Sequence, residues 1–493
     1  MEELSAPKDV EEVKTPNPHF NAPEKKNAIT RKGKRYRASF MTRTIGKLAQ
    51  ESDAKSSYVV GLLFFKEKAD ADVLKKLVAH KLLEIPRFRS KFVSKHFHAY
   101  FEELGEEDID LDYHVQVAMA GEKPTREQVL QYVADKMSQE SILDKSKPLW
   151  QITVVPEMDN GKGCLITNIS HIIGDGMAQV EVLYRLIDPT TPEDEELAKT
   201  DSGNSVSVRA KGKRAKKKVS KFKAARIFAG GVLQGTMAVL GRPDPRTSLK
   251  LKSVTAVSRE KRQALTEQIP LEKLKDVKNK IEGATINDVL IVLLTMCIKK
   301  YYAENEKKRV KRLTASFPIN LRKRGEDNFD RHGSPHNVWA YGMMPFHLKY
   351  KNTTDLIWKV KKTLDVAKLS PTPVVQQKLG MAIAPFLTTK GMNGLSLNVA
   401  NKSTVQLSNV AGPSKAVSIG GYVVDDMAFQ LFSPLGLYVG IISYNGTVSC
   451  SINIDSTLGD PALIAKHWKS EFDSLYEEVM AHEGILKAPR SWF

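Results

Sequence analysis

No stretch of the 493-residue chain reaches the roughly 18 consecutive apolar residues of a bilayer-spanning helix, so no segment is expected to cross a membrane. Cysteine is scarce. Cys164, Cys297 and Cys450 are widely spaced and odd in number, which argues against a disulfide framework and fits a reducing compartment. Packing in apolar surroundings is the expected role of all three. The stretch MEELSAPKDVEEVK lacks an apolar core, so no secretory leader is expected. No short repeat period is found. Acidic residues are missing between 209 and 226, where ten Lys and Arg supply ten of the eighteen net positive charges. That run lacks a recognised nucleic-acid module and regular aromatic interleaving, so nucleic acid is a weak candidate partner.

What is there describes a two-domain α/β (α+β) protein. At 493 residues the chain exceeds the roughly 250 to 300 at which one core stops growing, and a cleft between two lobes follows. Residues 1–37 read as a polar tail with a basic end. Residues 38–205 form an N-terminal lobe, with strands at Tyr58–Phe65, 151–155 and 164–169 and a helix at 73–83. Residues 206–245 read as a polybasic linker followed by an apolar crossover stretch at 227–240, too short to span a bilayer. That stretch either packs as a helix between lobes or seeks a membrane surface beside the basic run. Residues 246–493 repeat the alternation, with a buried helix at 288–302, strands at 313–317 and 436–444, and a closing helix at 461–481.

The candidate chemistry centres on His171. The strand at 164–169 runs through Ser170 into His171-Ile-Ile-Gly174-Asp175-Gly176, and a helix with apolar Met177, Val180, Leu183 and Ile187 follows at once. A histidine at a strand end is held by the sheet and points into a cleft. Its ordinary pKa near 6.5 suits a general base that removes a hydroxyl proton. Gly174 and Gly176 are expected to permit unusual backbone angles around the turn. Asp175 either bonds the imidazole or braces the loop by pairing with an arginine, and bracing, with Arg322 as partner, is favoured. The plainer reading is a structural histidine beside a helix cap.

Upstream stands Pro148-Leu149-Trp150, and PLW before an HxxxDG motif resembles the bacterial and plant wax ester synthase/diacylglycerol acyltransferase family, whose motif reads HHxxxDG. Further segments follow in that family's order. They are Ile85-Pro86-Arg87-Phe88-Arg89, Arg246-Thr247-Ser248-Leu249, Asn287-Asp288, Pro318-Ile319-Asn320-Leu321-Arg322, Asn409-Val410-Ala411-Gly412-Pro413, Ser443-Tyr444-Asn445-Gly446 and Asp455. The resemblance spans about residues 40 to 480. Two positions depart from it: Ser170 replaces the first motif histidine, and Ala411 the first proline of an NVPGP motif.

The resemblance implies a two-lobed, chloramphenicol acetyltransferase-like fold of mixed sheets with helices and a tunnel between the lobes. It implies an acyl-CoA-dependent O-acyltransferase with His171 as base, giving wax esters from a long-chain alcohol or triacylglycerol from diacylglycerol. An alcohol or amine acceptor of another kind, or a non-catalytic lipid binder, is the alternative. Asn287 and Asp288 either cap a helix or shape the site and hold His171 from the second lobe. Asn409, Gly412 and Pro413 either form a turn or offer amides to the acyl path. Pro148 and Trp150 read as packing beneath the site. Acyl-CoA enters as substrate, and neither cofactor nor metal is called for. The absence of a Gly-x-Ser-x-Gly elbow or a Cys–His pair speaks against a covalent intermediate. The expected location is cytoplasmic, with peripheral contact to an anionic membrane, endoplasmic reticulum or lipid droplet surface.

Overall fold

The computed structural model describes residues 32–51, 58–95, 98–138, 143–188, 242–369 and 400–489, apart from 254–255, 259, 308, 323–325 and 432–434, together with positions 378, 391, 394 and 398. In chain order its first strands are β1 (Arg35–Arg37), β2 (Tyr58–Phe65), β3 (Ser90–Lys95), β4 (His98–Glu103), β5 (Val115–Val117), β6 (Trp150–Val155) and β7 (Cys164–Ser170). The later ones are β8 (Lys261–Leu265), β9 (Ile269–Pro270), β10 (Leu313–Asn320), β11 (Trp339–Phe346), β12 (Val405–Ala411), β13 (Ser418–Ile419), β14 (Tyr422–Leu431), β15 (Leu437–Tyr444) and β16 (Thr447–Asp455).

Three sheets result, ordered β1-β4-β3, β13-β14-β2-β7-β6-β5, and β11-β10-β12-β15-β16-β8 with β9 beside β16. The two large sheets are mixed: β5 runs parallel to β6, and β12 runs parallel to both β10 and β15, within otherwise antiparallel ladders. Each large sheet has its own hydrophobic core. Strands β2, YVVGLLFF, and β7, CLITNIS, read as nearly continuous apolar runs because both faces are covered. In the second core the helix Ile286–Asn305 is buried along most of its length.

Two expectations shift. The tail does not extend to residue 37, because Arg35–Arg37 already pair with β4. Nor do the sheets divide at the linker. β14, from the C-terminal half, pairs antiparallel with β2 along Val59–Phe65 and so completes the N-terminal sheet. It passes close over β15: a Cβ on Gly440 would lie 2.8 Å from the carbonyl oxygen of Phe429, which only glycine accommodates. The run at 209–226 and the stretch at 227–240 lie outside the described residues. Among the described residues no helix is long and apolar enough to cross a membrane.

Candidate active site

His171 follows β7 directly, at the head of a turn that leads into the helix Gly176–Leu186. The strand is fixed from behind. The Ser170 amide donates to the Leu149 carbonyl at 2.9 Å, and Trp150 lies opposite Ile169 on β6. The Trp150 ring is fully buried, donates from Nε1 to the Phe88 carbonyl at 2.7 Å and stacks on His114 at 4.3 Å. Pro148-Leu149-Trp150 thus packs under the strand that carries His171. Ser170 is buried as well, and its hydroxyl accepts the Ile172 amide at 3.3 Å. Its side chain therefore turns inward as a brace of the loop.

Two arginines hold the loop after His171. Arg87 donates from Nη1 to the Ile173 carbonyl at 2.9 Å and pairs through Nη2 with Asp330 at 3.1 Å. Burial pushes its guanidinium down to about 10, with Asp330 opposing the shift. Arg322 meets Asp175 at 2.9 Å, both side chains at most 6% exposed, and donates from Nη2 to the His336 carbonyl at 2.7 Å. Asp175 also caps the helix, accepting the Ala178 amide at 3.1 Å, and accepts the Val338 amide at 2.8 Å. The aspartate is a brace linked to three segments, and its charge lies beside rather than on the imidazole.

The glycines work differently from expectation. Neither Gly174 nor Gly176 has a positive φ. Gly174 is required by packing, since a Cβ there would lie 2.8 Å from Pro335 and 3.1 Å from Ala178. A Cβ on Gly176 would meet no atom within 4 Å, so that side of the turn is open. The helix that follows buries Ala178, Glu181, Val182 and Leu186, a stripe beside the expected Met177, Val180, Leu183 and Ile187, which sit at its half-buried flanks.

The imidazole itself is held by Asn337, a residue no motif pointed to. Asn337 Oδ1 lies 3.1 Å from His171 Nδ1 and 3.4 Å from Trp339 Nε1, while its Nδ2 donates to the His171 carbonyl at 2.9 Å and to Thr42 Oγ1 at 3.2 Å. An indole N–H only donates and a carbonyl oxygen only accepts, so these two partners fix which end of the amide is oxygen. The oxygen faces Nδ1, which must therefore carry the proton. The lone pair is left on Nε2. Burial lowers the His171 pKa below the ordinary value, while Asp175 and Asn337 act in the opposite sense. Trp339 lies against the imidazole with ring centroids 5.6 Å apart.

The remaining candidates fall elsewhere. Asp288 is the third residue of a capping box: its carboxylate accepts the Thr285 amide at 2.7 Å, and Thr285 Oγ1 accepts the Asp288 amide at 3.3 Å. Asn287 accepts from Asn409 Nδ2 at 3.1 Å, so those two join each other. Holding His171 from the second lobe therefore belongs to Asn337, not to Asn287 or Asp288. The amide of Gly412 is spent on the Ser443 carbonyl at 2.9 Å, and Pro413, lacking an N–H, accepts the Asn445 amide at 3.0 Å. These two residues form a turn against the β15–β16 hairpin and have no amide to offer an acyl path. Asp455 is buried against Lys261 at 2.9 Å. The three cysteines are buried and unpaired, and burial pushes the Cys164 thiol up to about 12, far from a nucleophile's range. Among the described residues no group of His, Cys, Asp or Glu is arranged to hold a metal ion.

Sequence comparison with known proteins points to one family, and solved structures show the fold it shares with others. Residues 48–290 match the wax ester synthase/diacylglycerol acyltransferase catalytic domain, and residues 337–476 match the WS/DGAT C-terminal domain. Wax ester synthase/diacylglycerol acyltransferase 5 of Arabidopsis thaliana is 22% identical over 459 residues, covering 85% of this chain and 90% of its own. A probable diacylglycerol O-acyltransferase of Mycobacterium tuberculosis is 24% identical over 425 residues, covering 80% of this chain and 88% of its own. Among solved structures, the wax ester synthase/diacylglycerol acyltransferase of Marinobacter aquaeolei VT8 aligns with a TM-score of 0.59 at 17% identity, over 89% of this chain and 98% of that one. The first condensation domain of the calcium-dependent antibiotic synthetase aligns at 0.58 and 11% identity, over 92% of this chain and 98% of that one.

Proposed function

The chain belongs to the wax ester synthase/diacylglycerol acyltransferase family and is an acyltransferase of that type, and from this premise we propose that it moves a fatty acyl group from acyl-CoA to a long-chain alcohol or diacylglycerol with His171 as general base. The observation that carries the proposal is the tautomer set by Asn337, which leaves the Nε2 lone pair available to take a proton. Lowering of the pKa by burial keeps the imidazole neutral near pH 7, the state a base requires.

In this reading His171 removes the acceptor hydroxyl proton as the alcohol oxygen attacks the thioester carbonyl. The tetrahedral intermediate then collapses, the C–S bond breaks, and the imidazolium returns its proton to the departing thiolate of coenzyme A. A thiol of pKa about 8.5 needs little acid help to leave. Transfer is direct, within a ternary complex. Asp175 and the two arginines keep the loop rigid, which holds Nε2 in one place through both steps. The open side of Gly176 leaves room for substrate beside the helix start.

Purified protein incubated with palmitoyl-CoA and either hexadecanol or dioleoylglycerol tests the acceptor. Ester from one of them names the acceptor, and ester from neither, with an amine acylated instead, replaces it. Asn337→Asp tests the base. A carboxylate beside Nδ1 favours the imidazolium, so the His171 pKa rises. Because activity needs the neutral ring, the acid limb of the kcat/KM profile lies below pH 6.5 in the natural protein. It moves upward in the variant. An acid limb that does not move would separate Asn337 from the titrating group.

Contact with an anionic membrane or lipid droplet surface falls, in the same proposal, to residues 209–226. Deleting them is expected to weaken binding to phosphatidylserine vesicles and leave turnover of dispersed substrate intact. Unchanged vesicle binding refutes that role.

A further inference from the structure

β11 is the edge strand of its sheet, and its two faces differ. Ala340, Met344 and Phe346 are buried, with Met344 and Phe346 in the second core. Trp339, Tyr341, Met343 and Pro345 alternate with them on the opposite face, with Trp339 buried, Tyr341 exposed at 42%, and Met343 and Pro345 half-buried. Tyr341 is among the few exposed large apolar side chains of the described residues. It does not stand alone. Its ring meets Trp339 edge-on at 4.6 Å, and Trp339 in turn meets His171 at 5.6 Å. Across the ladder, Asn320, Pro318 and Ser316 of β10 stand opposite Trp339, Tyr341 and Met343 on the same face.

We propose that this face of β11 is the track along which an aliphatic chain lies when its reactive end is at His171, with Trp339, Tyr341 and Met343 as successive contacts and Met343 as a determinant of chain length. The proposal rests on the acyltransferase reading of His171. Continuity supports it, since the series of rings begins at the imidazole and runs along a single strand. Length supports it too. Six residues at about 3.4 Å each carry the face about 20 Å from Trp339 to Pro345. An extended alkyl chain built from bonds of about 1.5 Å advances about 1.25 Å per carbon, so that distance corresponds to about sixteen carbons. Met343, four residues along, stands about 14 Å out, at about the eleventh carbon. The flat rings and the thioether present apolar surface, with the Trp339 indole N–H already spent on Asn337, as a chain of CH₂ groups requires. Asn337 ties the start of the strand to His171, so the track and the base keep a fixed relation.

Acyl and alcohol chains share this chemistry, and the test separates them. Met343→Trp, which narrows the track, and Met343→Ala, which widens it without crowding, are assayed beside the natural protein in two arms. One varies acyl-CoA from C8 to C18 at fixed hexadecanol, and the other varies the alcohol at fixed palmitoyl-CoA. The expected result is a fall of at least about tenfold in the C16-to-C10 ratio of kcat/KM for Met343→Trp, in one arm only, which identifies the chain. Met343→Ala is expected to lower the same ratio by about threefold through lost contact. An unchanged ratio in both arms for both variants overturns the track, as does a loss uniform across all lengths. Absence of product from the natural protein at every length is a different failure and falls on the acyltransferase reading instead.

Discussion

His171→Ala is expected to lower kcat by about a thousandfold with acyl-CoA and alcohol, with little change in KM, because the base acts in the transition state and not in binding. The substitution removes one hydrogen bond from Asn337 and leaves the turn otherwise intact. Arg87 still holds the Ile173 carbonyl, and Arg322 still holds Asp175. The variant should therefore fold, and its far-UV circular dichroism and urea midpoint should match those of the natural protein within the uncertainty of a surface change. Those controls matter, since a loss of activity with a loss of structure says nothing about the base. Equal product from the two proteins would refute general-base catalysis by His171, whereas product from neither would favour a lipid-binding role without catalysis. The tautomer argument adds a second expectation. Asn337→Ala keeps the imidazole but frees it to rotate and to place its proton on either nitrogen, so kcat should fall by about tenfold to a hundredfold, less than for loss of the ring.

The second large effect concerns stability. Arg322→Ala leaves the Asp175 carboxylate buried with two backbone amides and without its ion-pair partner, an arrangement that costs about 3–5 kcal/mol. Equilibrium urea unfolding should show a lower midpoint, and the shift multiplied by the m-value gives a free-energy loss of that size. The exposed pair Arg35–Glu102, with the arginine side chain 62% exposed, is the internal control, since truncating it should leave stability nearly unchanged. The double variant Asp175→Asn with Arg322→Met removes both charges and keeps an oxygen for the helix cap. It should recover much of the loss. If Arg322→Ala is no more destabilised than the control, the pair does not hold the turn.

The strand, turn and helix around His171 were legible because every signal there is local. An apolar strand-length run ends at Ser170, Asp175 is a good cap, and a periodic helix begins at Gly176. A cap at Asn287 and Asp288 was expected, but the cap is Thr285 two positions earlier, with Asp288 as the third residue of its box. Pairing of Asp175 with Arg322 was open to a guess from charge alone. Asn337 was not. It sits 166 positions from its imidazole, on no periodic element, and an isolated asparagine in a loop has many plainer explanations. Its signal is the exhaustive pairing of a single amide, which exists only in three dimensions. The pairing of β14 with β2 was hidden by Asp425 and Asp426, which break the alternation of YVVDDMAFQL. The ladder accommodates them with a register shift between Val424 and Asp426, and Asp426 is then paired by Arg126 and Gln268.

That late strand has a bearing on how the protein comes into being. On the ribosome, β2 is made early, yet the strand that covers one of its two edges is among the last to emerge. At about 5–20 residues per second the edge stays unpaired for roughly tens of seconds, an open template for any neighbouring chain. The first half of this polypeptide is therefore not a module that can ripen alone, and a nascent chain released before Leu431 has been added would carry a sheet with a missing margin. Expression of the N-terminal half by itself should yield aggregate, and co-expression of the second half should rescue it.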